Sequence, residues 1–398
     1  MQLRYAFYAT ACLRALGTSA LGVFLGVALA QRGYSAQTIG FIVTAGLAGT
    51  AVAAALVTFW GSGARARPIL MTLAGLNAGG LAALWFFRSP MVVALAAFVG
   101  MANGMGRDRG AALAIEQALL PSTGASNQRT RTIAWYTLLQ DVGHAIGALL
   151  PAAVGVLAAN RLNAAANDLT LAALVCVSLV TLGVYARWAP AAGASPPRQQ
   201  ISAQSRGMLA KICALFAIDA LGGGFLTTAL VSYFFFERFG VGTEVIGPLF
   251  FAARLMNAVS HLGAAKLAER IGLVRTMVFT HIPSSLLLVT VAFAPTLPIA
   301  IVLFLLREGL VEMDVPTRQS YVLAVVEPHE RTFASGVTNL VRLAAWAIAP
   351  WFAGTLMRDD QLYLPLVIGA AMKIAYDLAL WRAFISVVPP EERAAGKT

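Results

Sequence analysis

The chain has 398 residues, of which 59% are hydrophobic and only 12% charged, with a mean hydropathy of +0.74. A soluble domain carries roughly 45–50% apolar and about 25% charged residues, so a water-soluble globule of this length would lack the polar surface to cover itself. The net charge of +11 and pI near 10.1 would suit a nucleic-acid partner, but the basic residues cluster at the ends of apolar stretches, which excludes that reading and points to a lipid bilayer.

A bilayer span needs about 20 apolar residues. In chain order, the stretches that qualify are 5–30, 37–60, 67–87, 90–120, 130–158 and 169–189, then 208–236, 244–266, 273–293, 296–326, 332–356 and 362–386. They divide the chain into a bundle at 1–189, a cytoplasmic linker at 190–207, a second bundle at 208–386 and a cytoplasmic tail at 387–398. The linker "PAAGASPPRQQISAQSRG" is rich in Pro, Ser and Gln. With the N-terminus inside, the inner loops and ends hold about fifteen basic residues against five outside, the bias expected of cytoplasmic loops. Both termini are therefore placed in the cytoplasm. The first stretch is of full span length and carries Arg14 in its middle, unlike a cleaved leader. Cys12, Cys176 and Cys213 fall inside expected helices, too far apart for a metal motif, and read as small buried hydrophobes. No metal or cofactor is expected.

The second half faintly copies the first. "GYSAQTIG" at 33–40 returns as "GVGTEVIG" at 240–247, and the segment at 127–151 returns loosely at 329–350. Arg129-Thr130 precedes Arg331-Thr332 by 202 positions. A repeat of half the chain is too long for a solenoid unit. In so apolar a chain it indicates two duplicated membrane bundles, an organisation common in secondary transporters, with substrate bound at the repeat interface.

After helix 8, Gly263 leads into Leu267-Ala268-Glu269-Arg270-x-Gly272-x-x-Arg275. This resembles the loop signature of the major facilitator superfamily, Gly-x-Leu-Ala-Asp-Arg-x-Gly-Arg-Arg, although the family's opening Gly is Ala265 here. The segment at 313–341 resembles the helix 10 to helix 11 region of bacterial members. The first-half copy is worn down to "WGSGARARP" at 60–68, and the helix 5 antiporter signature is hinted at only by Gly143, Gly147 and Pro151. The resemblance implies an all-α fold of 12 transmembrane helices in two six-helix bundles related by pseudo-two-fold symmetry. It also implies that helices 1, 4, 7 and 10 line a central cavity while 3, 6, 9 and 12 pack outside. Gly263, Glu269, Arg270, Gly272 and Arg275 then form a cytoplasmic gate whose ion pairs break on opening; the plainer alternative is a basic loop that sets topology.

Charge placement agrees with that division. An ionisable group at mid-span costs at least about 2.5–3.5 kcal/mol, so it should be paired or line water. Helix 1 has Arg14; helix 4 has Arg107, Asp108, Arg109 and Glu116; helix 7 has Asp219; helix 10 has Arg307, Glu308, Glu312, Asp314 and Arg318. These are the candidates for a substrate or proton pathway. Glu308 and Glu312 are four apart on one face, where two crowded acids favour retention of a proton; a self-neutralised network with Arg307 and Arg318 is the alternative. Helix 4 is locally basic, so Arg107 or Arg109 either binds an anionic group or neutralises helix 10. Lys373 and Asp377 in helix 12 are also four apart and read as a structural pair. Asp141 in helix 5 and Arg254 in helix 8 lie at similar depth; the resemblance implies that these helices are neighbours, so the two are expected to meet between the bundles, within reach of His144, itself a structural residue or a pH switch. Arg342 has no obvious partner. "NGMG" at 103–106 and "LGGG" at 221–224 permit close approach or bending. "SYFFFERF" at 232–239 reads as an aromatic anchor at the outer interface.

The expected protein is a monomeric carrier of the bacterial inner membrane. It moves a small molecule by alternating access, coupled to protons, with export favoured. Uptake of a sugar or organic anion is the near alternative; a non-transporting receptor or accessory subunit is the alternative of another class. No nucleophile elbow, phosphate-binding loop or His–acid metal cluster suggests an enzyme.

Overall fold

Spans that are apolar all round bury themselves in lipid or protein rather than presenting one greasy stripe. The computed structural model describes residues 3–60, 65–120, 129–157, 163–187, 202–315, 317–318, 326, 330–358 and 361–384, and among these it contains helices and no strands. In chain order the helices are α1 Leu3–Gln31, α2 Ala36–Trp60, α3 Ala66–Phe86, α4 Pro90–Val99, α5 Ala111–Leu119, α6 Arg129–Leu157 and α7 Asn163–Arg187. They continue with α8 Ala203–Gly224, α9 Thr228–Phe239, α10 Thr243–Ile271, α11 Leu273–Ala292, α12 Leu297–Val311, α13 Arg331–Leu356 and α14 Leu364–Phe384. Most of the 190–207 linker and all of the 387–398 tail lie outside the described residues.

Three expected spans are not continuous. Span 4 is split into α4 and α5, span 7 into α8 and α9, and α12 ends at Val311 with Glu312 as its C-cap. Ten residues of α4 rise only about 15 Å, half the hydrocarbon core of about 30 Å. The break at 100–110 is encoded locally: Met101 and Gly106 take left-handed backbone at φ 51° and 73°. The Asn103 amide holds the loop from inside, donating to Arg107 O at 2.7 Å and accepting from Met105 N at 2.8 Å. In span 7 the Thr227 hydroxyl caps α9, accepting from Leu230 N at 3.4 Å.

The sequence repeat is also a structural one. Gly33 and Gly240 both take left-handed backbone, at φ 82° and 66°, within two residues of the ends of α1 and α9. α2 and α10 each begin three residues later. Such a turn favours glycine because a Cβ is strained there.

Packing groups the residues into two compact units. The first comprises Met1–Pro196, Thr227–Phe251 and Pro350–Asp360; the second comprises Pro197–Leu226, Ala252–Ala349 and Gln361–Thr398. Within the first unit, α9 and the adjoining ends of α10 and α13 pack among the first-half helices. A Cβ on Gly40 of α2 would lie 3.0 Å from Gly354 Cα of α13. One on Gly247 of α10 would lie 2.8 Å from Ala148 O and 3.0 Å from Ala152 Cβ of α6. Gly40 and Gly247 are repeat mates, and Ala152 precedes Gly354 by 202 positions, so one close contact is made twice. Replacing Gly40 by valine should strain its copy by about 1–3 kcal/mol. The Trp351 amide donates to Thr44 Oγ1 at 2.9 Å beside it, so cysteines at Thr44 and Trp351 report the contact. Their disulfide yield should fall with Gly40→Val; an unchanged yield would mean the helices give way there.

The α9 aromatics do not form the expected outer anchor. Phe234 and Phe235 are fully buried, and a Cβ on Gly26 of α1 would meet Tyr233 Cβ at 3.3 Å. The break of span 4 receives the start of α9: Ala229 N donates to Gly104 O at 3.0 Å and Thr228 Oγ1 to Met105 O at 2.8 Å. The orphan first-turn amide of one interrupted span thus finds a carbonyl freed by the other. The cysteines are less buried than expected: Cys176 is exposed and Cys12 and Cys213 are half-buried.

Candidate functional site

Each unit holds a buried cluster of ions. In the first, α1 presents Arg14, whose Nε donates to Asp108 Oδ2 at 3.0 Å. Its Nη1 and Nη2 donate to Glu116 Oε1 and Oε2 at 2.7 and 2.9 Å. Such a fork between guanidinium and carboxylate is a strong, directional pairing. Glu116, fully buried on α5, also accepts from Thr10 Oγ1 at 2.5 Å, Tyr185 OH at 2.6 Å and Tyr136 OH at 2.8 Å. Five donors on two oxygens suit an ionised carboxylate, which only accepts. Asp108 sits at the end of the break, held through its backbone: its amide donates to His144 Nε2 at 2.9 Å, and its carbonyl accepts from Gln140 at 3.2 Å. His144 is therefore a buried acceptor that fixes the break.

In the second unit the centre is Asp219 on α8. Its Oδ1 lies 2.9 Å from Lys373 Nζ of α14; its Oδ2 lies 3.1 Å from Arg318 and 3.6 Å from Arg342 of α13. Arg318 also donates to Asp314 at 2.6 Å. Beyond Lys373 the chain of contacts continues through His281 Nε2 at 3.4 Å, and from His281 Nδ1 to Asp377 at 2.9 Å. Arg342 stacks over Trp346 at 4.8 Å. The cluster brings together three carboxylates (Asp219, Asp314, Asp377) and three basic side chains (Arg318, Arg342, Lys373), with His281 as a bridge.

Several expected pairings are redistributed. Lys373 turns to Asp219 and Asp377 to His281 on α11, because neighbouring helices offer closer counter-charges than the same face of α14. Arg342 finds Asp219. Arg307 pairs with Glu308, which also accepts from Asn257 Nδ2 at 2.9 Å. Glu312 faces His261 at 3.9 Å. Arg107 and Arg109 are half-buried on the break, Asp141 is exposed on α6 and Arg254 half-buried on α10. At the gate motif, Gly272 takes φ 90° as N-cap of α11, while Glu269, Arg270 and Arg275 are exposed; a Cβ on Gly263 would meet Met313 Cε at 3.2 Å. Residues 61–64 of the first-half copy at 60–68 lie outside the described residues. Among the described residues no group of three His, Cys, Asp or Glu side chains is placed to hold a metal. The tyrosines of the first cluster and the Lys373 branch of the second escaped the sequence analysis, since nothing in a lone mid-span Tyr marks its partner.

Interrupted spans with charges buried at the interruptions describe a multi-pass membrane carrier rather than an enzyme. The Major Facilitator Superfamily model matches residues 7–350, and the chain belongs to that family, with its twelve-span fold. The chain is 25% identical to the uncharacterized membrane protein YJR124C of Saccharomyces cerevisiae, covering 88% of this chain and 86% of that one. Among solved structures it is similar to the xylose transporter XylE from E. coli (TM-score 0.70, 13% identity, 98% of each chain). The nucleoside transporter NupG (0.70, 14%, 96% of this chain and 98% of that one) has the same fold. So does a bacterial homologue of the iron transporter ferroportin (0.71, 14%, 95% and 98%).

Proposed function

We propose that the protein is a proton-coupled secondary transporter that exports a small molecule by alternating access from a bacterial cell membrane, with both termini in the cytoplasm. One observation carries this reading. Glu116 and Arg318 are repeat mates, 202 positions apart, and each lies fully or almost fully buried within an ion cluster. Retaining ions at mid-span is costly, and doing so at one repeated position in both halves suits a carrier whose halves exchange roles. The bias of basic residues toward one side supports the orientation.

The test is proton movement in proteoliposomes loaded with a pH-sensitive dye, challenged in turn with cationic drugs, organic anions and sugars. Proton flux opposite to the solute is the expected result; flux in the same direction would replace export with uptake by symport. Retained flux in Glu312→Gln would exclude that carboxylate from coupling. Loss of flux would put coupling on α12. No flux from folded protein with any solute, and no solute protection of engineered cysteines, would favour a receptor or accessory subunit.

A further inference from the structure

A chamber of about 110 Å³ lies inside the first unit, enclosed by α1, α2, α3, the break of span 4, α5 and α7. An apolar cavity of about 150 Å³ binds benzene, so this chamber is of the size that takes one small ring. Its walls are mostly apolar, but Arg14, Asp108, Asn77 and Asn103 reach it. The two asparagines are already engaged. Asn77 donates to Gly100 O at 2.7 Å and accepts from Ser178 Oγ at 2.7 Å, and Asn103 spans the break. Asp108 has an acceptor to spare. Its Oδ2 takes Arg14, while its Oδ1 makes no hydrogen bond among the described residues, although the residue is only 8% exposed. Gly110 keeps the space beside Oδ1 open: a Cβ there would have Thr50 Cγ2 at 3.7 Å and Asp108 Oδ1 at 4.0 Å as its nearest atoms. An occupant of this chamber therefore needs an apolar body and one hydrogen-bond donor.

A second hollow shows how such a molecule arrives. A groove of about 580 Å³ runs between α2, α3 and α4. Val52, Leu56, Leu76, Phe98 and Val99 line it and are 37–52% exposed, so in a spanning bundle lipid chains border it. Among the described residues that line it, only Arg65 is charged. Leu73 of α3 and Met101 of the break line both the groove and the chamber. These two side chains are the shared wall. A methionine is unbranched and adapts its shape readily, so Met101 can swing aside without moving a helix. An apolar groove of this kind admits a molecule dissolved in the bilayer and rejects a hydrated ion.

We propose that the first unit binds one small neutral amphiphile, a phenol or alcohol of about the size of benzene, which enters from the bilayer past Leu73 and Met101 and donates its hydroxyl to Asp108 Oδ1. An anionic ligand would be repelled by that carboxylate, and an ammonium would compete with Arg14 for it. The bond gives a buried acceptor the partner it lacks. The occupant would fill the space beside the break that holds the start of α9 through Gly104 and Met105. The site is distinct from the path of any transported solute and does not rest on the transport reading.

The experiment uses the purified full chain in lipid nanodiscs, with phenol as the probe and toluene and benzylamine as its apolar and cationic counterparts. Phenol should raise the thermal midpoint saturably. Toluene, which has the ring without the donor, should need about tenfold higher concentration for the same effect, as loss of one hydrogen bond to a charged group implies. Gly110→Val should abolish the phenol response by filling the space beside Oδ1, at an extended backbone position (φ −81°, ψ −176°) that accepts a side chain. If that variant fails to fold, Ala74→Leu, which fills the chamber from α3, takes its place. The entry route has its own readout: phenol should slow modification of Met101→Cys by N-ethylmaleimide. No saturable response to phenol would mean a chamber that holds water only and overturns the proposal. So does a wild-type response in a folded filled variant. Toluene equal to phenol overturns the bond to Asp108, benzylamine tighter than phenol overturns the neutral ligand, and unchanged modification of Met101→Cys overturns entry from the bilayer.

Discussion

Replacing Asp219 by asparagine is expected to destabilise the second unit by about 3–5 kcal/mol, the cost typical of stripping one partner from a buried ion cluster. Asp219 is the junction of that cluster. Lys373 at 2.9 Å, Arg318 at 3.1 Å and Arg342 at 3.6 Å all converge on its two oxygens, with Asp219 itself 3% exposed. Asparagine keeps the shape but leaves three cations facing two carboxylates. Removing one cation should restore the balance, so Asp219→Asn with Lys373→Met should recover much of the loss. A double-mutant cycle of thermal unfolding reads the coupling directly. If Asp219→Asn unfolds within about 0.5 kcal/mol of wild type, as a neutral surface change would, the cluster does not hold this unit together.

Much of this was legible in the sequence, for identifiable reasons. Twelve spans follow from length and hydropathy, which the bilayer imposes almost without reference to tertiary context. The Gly33 and Gly240 turns were visible because left-handed backbone demands glycine in both copies. The mid-span charges were visible because they are expensive. Their partners were not. Spacing along one helix shows which residues share a face, so Lys373 and Asp377 looked like a pair; it says nothing of the neighbouring helix. Asp219 and His281 lie 154 and 92 positions from Lys373, and that proximity arises only on packing. The break at 100–110 was half legible: "NGMG" signalled bending, but not the internal Asn103 bonds that replace a full turn of helix.

The repeat also shows how the two units differ. Glu116 and Arg318 occupy the same repeated position with opposite charge. Around Glu116 the other half-cluster groups are a guanidinium and neutral hydroxyls; around Arg318 they are two carboxylates and an aromatic face, Phe216 at 5.3 Å. The first cluster borders a cavity. Duplication thus supplied a common buried position, occupied by an acid in one half and a base in the other.

That difference gives the first cluster its own test. Arg14→Met should destabilise the first unit by about 3–5 kcal/mol, since it removes the guanidinium that pairs with both Glu116 and Asp108. Arg14→Lys should recover only part of this loss. Lysine keeps the charge, but a single ammonium cannot reproduce the planar fork that reaches Asp108 through Nε and both oxygens of Glu116 through Nη1 and Nη2. Adding Glu116→Gln to Arg14→Met should be less harmful than Arg14→Met alone, because the amide still accepts from the Thr10, Tyr136 and Tyr185 hydroxyls without an unpaired charge. Thermal unfolding of the purified variants orders them. If Arg14→Lys matched wild type, charge alone would suffice, and the fork would have no role in holding α1, α5 and the break together.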